Sequence, residues 1–81
     1  MNNFKPYANE RDALHIGNLK IENRLDRVSF YGDVDFTRDQ VGLAAARELK
    51  IVVDGIVSTL DAENLPEKLP APTIKTVKNP F

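Results

Sequence analysis

Asp33, Asp35 and Asp39 fall within seven positions of one another. That spacing is the place in this chain of 81 residues where hard oxygen donors could gather. Mg²⁺ and Ca²⁺ take such donors. The run lacks the glycine and the bidentate glutamate of an EF-hand loop, so we assign no metal to it. His15 is the one histidine and there is no cysteine, which leaves too few ligands for a structural zinc site. We expect His15 to be exposed. Neither Ser29 nor Ser58 has a histidine nearby in the sequence to take its proton. From these residue types we expect no catalytic site, no metal and no cofactor, in a protein that is not an enzyme.

The stretch Val28-Ser29-Phe30-Tyr31-Gly32-Asp33-Val34-Asp35-Phe36-Thr37 carries a sharper pattern. A hydrophobic strand followed by Asp-x-Asp-x-Thr resembles the first motif of the haloacid-dehalogenase-type phosphotransferases. The resemblance implies a nucleophile at Asp33, a general acid at Asp35 and Mg²⁺ beside them. It spans ten residues. That family's fold needs a parallel sheet with several crossover helices, for which this chain has no room, and no later lysine or acidic motif stands in the matching setting. We therefore expect Asp33 and Asp35 to face solvent from an edge strand, with Asp39 stabilising the start of a helix.

A different chemistry is offered by Lys20, Arg24 and Arg27, which gather near one turn, with Tyr31 able to share their ribbon. A two-stranded ribbon can enter a major groove, and a dimer would present two. Glu22 and Asp26 interrupt the cluster. The net charge of −1 provides no general attraction for phosphates. A small nucleic-acid-binding regulator using this turn is the second of two functional readings.

The first reading comes from the element that dominates the chain. At about 100° per residue, Val41, Ala45, Leu49, Val52, Val53, Ile56, Val57 and Leu60 share an arc of roughly 160°. Arg47, Lys50, Asp54, Ser58 and Asp61 form a separate polar stripe. The spacing predicts one long helix over residues 37–63. Thr37 is the expected N-cap, with Gln40 at capping-box distance, and Asn64 with Pro66 is the expected stop. A hairpin through Asp54-Gly55 between two β-branched runs competes with this helix. The helix is preferred because residues 43–50 are rich in helix formers and the polar stripe continues in phase across Asp54. Gly55 then suggests a close neighbour.

The remaining segments are read around that helix. Residues 1–13 are polar and mixed in charge, and we expect them to be poorly ordered or draped on the surface. Residues 14–36 read as a β-hairpin turning at Asn23-Arg24-Leu25-Asp26, with Val28, Phe30, Val34 and Phe36 on one face at period two. Residues 64–81 hold Pro66, Pro70, Pro72 and Pro80 and read as an extended tail. Its Ile74 and Val77, with the basic Lys75 and Lys78, could dock as an extended strand on an unknown protein partner or on the chain's own or its dimer mate's sheet. The fold class is α+β in a single small domain.

A helix of that length spans about 36 Å, longer than the roughly 30 Å globule that such a chain forms. One hairpin covers part of it. We expect a homodimer whose interface includes Val41, Ala45, Leu49, Val52, Val53, Ile56 and Leu60. No run reaches the ~18 apolar residues of a membrane span and no signal-peptide core opens the chain, so the expected setting is soluble and cytoplasmic.

Overall fold

The computed structural model describes residues 4–69. Three strands form an antiparallel sheet in the order β1-β2-β3: β1 (Ala13–Ile16), β2 (Leu19–Asn23) and β3 (Val28–Tyr31). One helix, α1 (Gln40–Asp61), follows. The class is α+β, as the sequence indicates. The expected hairpin is instead a three-stranded meander. Its extra turn is Gly17-Asn18, where Gly17 takes φ 60, and Leu14 pairs with Ile21 across it. A two-residue Gly-Asn link between apolar runs is a known hairpin signal.

The face of the sheet that meets the helix follows from strand alternation. Leu19, Ile21 and Asn23 of β2 are buried, while Lys20 and Glu22 between them point to the other side. Ile16, Leu19, Ile21 and Val52 make the buried core, with Phe4, Leu14, Val28, Val34, Ala45, Leu49 and Ile56 packed around it. The helix lies on the β1 side of the sheet. Phe30, on β3 and opposite Ile21, consequently remains 40% exposed on the same face.

Two expectations for residues 28–39 need correcting. The strand does not run on to Phe36: it ends at Tyr31, and Gly32 at φ 94 turns the chain so that its Cα abuts the Asn18 carbonyl. Asp33 and Asp35 are exposed, as expected, but in the connection to the helix rather than on an edge strand. The N-cap is Asp39 and not Thr37. Asp39 Oδ1 accepts from the Gly42 N–H at 2.8 Å, and the Thr37 hydroxyl donates to the same oxygen at 2.6 Å. The cap turns so tightly that a Cβ on Gly42 would strike the Thr37 carbonyl.

Residues 51–57 are helical, and Lys50 Nζ bonds Asp54 Oδ2 at 2.8 Å one turn apart. The helix ends at Asp61, with Ala62 as its C-cap. Gly55 meets a neighbour, the Pro6 ring, whose Cγ would be 3.4 Å from an added Cβ. Residues 4–12 therefore belong to the packed structure. Asn23, fully buried, ties them down: its Oδ1 accepts from the Tyr7 N–H at 2.7 Å, and its Nδ2 donates to the Lys5 carbonyl at 2.8 Å. The proline-rich tail from Pro70 onward lies outside the described residues.

The cap makes a prediction about acid. The Thr37 hydroxyl, and after it the Gly42 N–H, hold the Asp39 carboxyl below the ordinary 3.8. A lowered folded-state value stabilises the native form fully above the unfolded value, and that contribution drains away as pH falls through the folded value. Asparagine caps nearly as well as aspartate but carries no titrating proton. Asp39→Asn should thus keep the denaturant midpoint at pH 7 and flatten its fall below pH ~4, whereas Asp39→Ala should lower the midpoint at pH 7. Urea titrations at several pH values check both.

Candidate interaction surface

The residues singled out for chemistry do not converge. Among the described residues no group of three or more His, Asp or Glu side chains is placed to hold a metal ion. Asp33 and Asp35 line a shallow recess between the β1–β2 turn and the start of the helix, beside Gly17, Asn18 and Val41. Asp39 is engaged in the cap. His15 is exposed on β1, and Ser29 stands on β3 with β2 between them, roughly 10 Å away across two strand spacings. Ser58 is exposed on the helix.

The basic cluster is brought together and also neutralised. Lys20 Nζ lies 2.9 Å from Glu22. Arg24 reaches Glu22 at 3.2 Å and Glu10 at 4.0 Å, and donates to the carbonyls of Asn23 and Glu10 as well. Arg27 pairs with Asp26 at 3.1 Å. The Lys20 hydrogen bond, above all, holds the Glu22 carboxyl below its ordinary value, so it stays charged beside these cations. Three cations face three carboxylates, leaving little field to attract phosphates.

A cleft of about 450 Å³ opens where the helix end meets the β2–β3 turn. Leu25, Val28, Leu60, Leu65 and Leu69 give it an apolar wall. Tyr7 also lines it, and burial, followed by Glu63, raises the tyrosine pKa. Asp26, Arg27, Glu63, Glu67 and Lys68 line it as well, and Arg27 is already paired with Asp26.

The helix surface has the more distinct feature. Of the residues expected at an interface, Val52 is 2% exposed and belongs to the chain's own core, and Ala45, Leu49 and Ile56 pack against that core. Leu60 is half-buried. Val41 is 75% and Val53 41% exposed. Val57 at 52% and Leu43 at 46% add to them. Leu43 stands outside the apolar arc that periodicity defines. The signal that finds it is the spacing Leu43, Ala46, Lys50, Val53, Val57, Leu60, which steps by three and four.

The two flanks of the helix differ. Pro6 packs beside Gly55, although Ile51 one turn earlier on that side is 44% exposed. The other side, within about 100° from Leu60 round to Leu43, carries exposed valine and leucine. No known family model, curated protein or solved structure matches the chain. The phosphotransferase resemblance therefore remains confined to its ten residues, on a sheet that is antiparallel and three-stranded. Among the described residues no helix is long and apolar enough to cross a membrane.

Proposed function

We propose that this protein is a small non-enzymatic interaction module that works as a homodimer. The observation carrying the reading is the open flank of α1, where Leu43, Val53 and Val57 are each at least 41% exposed. A 22-residue helix spans about 33 Å, while strands of four or five residues span about 13–17 Å. The sheet covers one face over part of that length. Contiguous apolar surface rimmed by charge marks association sites on small proteins, and a two-fold pair is the simplest way to cover it. The dispersal of Asp33, Asp35, His15, Ser29 and Ser58 supports a role without chemistry. The pairing of Lys20, Arg24 and Arg27 with carboxylates favours protein over nucleic acid as the partner.

Sedimentation velocity tests the proposal directly. The wild type should sediment as a dimer at micromolar concentration. A compact monomer there would overturn it.

A further inference from the structure

We infer that two copies pair through the open flank of α1, helix against helix in antiparallel order. This rests on the homodimer proposed above and specifies its geometry. Leu43, Ala46, Lys50, Val53, Val57 and Leu60 make one seam at alternating steps of three and four, the pattern that lets two helices interdigitate. Five of the six are apolar.

Charge selects the direction. Arg47 and Lys50 lie toward the start of the outer face, Asp54 and Asp61 toward its end. A parallel two-fold would set the seam residues opposite their own copies, so Lys50 would meet the partner's Lys50, and it would send Arg47 and the partner's Asp54, which flank the seam, to opposite edges of the pair. An antiparallel two-fold with its axis between residues 51 and 52 does the reverse. It brings Arg47 and Lys50 toward the partner's Asp54, and again by symmetry. It also stacks Leu43 on the partner's Leu60 and Ala46 on the partner's Val57. The two helix dipoles then oppose one another as well. Pro6 lies beside Gly55 on the opposite flank and Val52 faces the sheet, while Ile51 at 44% and Val41 at 75% exposure lie off this stripe and stay uncovered in the pair.

The absence of cysteine permits a clean test. Ala46→Cys and Val57→Cys are made as single variants, each oxidised alone and then as a co-refolded mixture. In the antiparallel pair, the thiols of two Ala46→Cys chains sit eleven positions apart along the axis, about 16 Å. A disulfide needs Cα atoms within about 7 Å. The mixture should therefore give a covalent mixed dimer, and each variant alone should give none. Self-linking of each variant without mixed linking would establish a parallel pair and overturn the inference while the homodimer stands. A dimer by sedimentation that links in neither experiment would also overturn it, by placing the interface elsewhere. A monomer by sedimentation, with the tail or another segment covering the flank, would remove both the geometry and the homodimer.

Discussion

Val52→Asp should unfold this protein, and Val57→Asp should leave it folded but monomeric. The two valines are five positions apart on one helix, yet Val52 is 2% exposed and Val57 52%. Removing the Val52 side chain from the core forfeits roughly 1.5–3 kcal/mol of burial. The carboxylate that replaces it either stays charged without a partner or takes up a proton. Protonation at pH 7, about three units above the ordinary aspartate value, costs about 4 kcal/mol. The total of roughly 6 kcal/mol meets a stability of about 4–12 kcal/mol for 81 residues. With four buried hydrophobic residues in the core, the lower end applies. Far-ultraviolet circular dichroism should show the helical signal lost in Val52→Asp and kept in Val57→Asp. Sedimentation should then show the second variant as a monomer. A folded Val52→Asp would mean that the helix does not pack on the sheet through this residue.

That contrast shows what the sequence discloses about the helix and what it withholds. Periodicity predicts the helix over nearly its whole length, because its polar stripe stays in phase through Asp54 and disfavours a hairpin there. It did not divide the apolar arc. Val52 and Val53 share the arc about 100° apart, but the sheet takes Val52 and leaves Val53 at 41% exposure. That division depends on where a sheet lands, which is a long-range fact. Val41 shows the same limit at the helix start, where it borders the recess beside the β1–β2 turn and stays 75% exposed.

The sheet was legible in part. Alternation in Leu19–Asn23 and Val28–Tyr31 identified two strands. The turn at Gly17-Asn18 was also readable, but β1 contributes just four residues and an exposed Ala13, so its own pattern is weak. Past Tyr31, Val34 and Phe36 remain in phase with Val28 and Phe30. The strand stops because Gly32 leaves extended geometry and the backbone passes against Asn18. At the helix start, Thr37 and Asp39 are both good caps. The Thr37 hydroxyl is engaged by the Asp39 carboxylate, which leaves Asp39 to accept from the backbone.

Asn23→Ala should be the most damaging polar substitution, and no local pattern announces it. In the sequence Asn23 reads as an ordinary turn residue. In the fold it is fully buried and links segments 16 and 18 positions away. Alanine would leave the partly shielded Tyr7 N–H without this acceptor, while the Lys5 carbonyl would keep its 3.2 Å bond from the Ala8 N–H. An unsatisfied group of this kind costs about 1–3 kcal/mol. One opposing effect is present. Tyr7 sits at φ 68, a left-handed conformation that costs a non-glycine residue about 1–2 kcal/mol, and freeing the segment releases part of that. The net loss should be about 1–3 kcal/mol, read from the shift in urea midpoint. Asn23→Asp separates the hydrogen bonds from the packing. Its carboxylate can still accept from Tyr7, but it turns an oxygen toward the Lys5 carbonyl where the amide donated. Repulsion and burial would raise its folded-state pKa above the unfolded value. The sign is then opposite to that at Asp39: the variant should regain stability, relative to the wild type, as pH falls through the raised value and the acid proton restores the donor. An aspartate variant as stable as wild type at pH 7 would show that the N-terminal segment is held by the packing of Phe4 and Pro6 rather than by this amide.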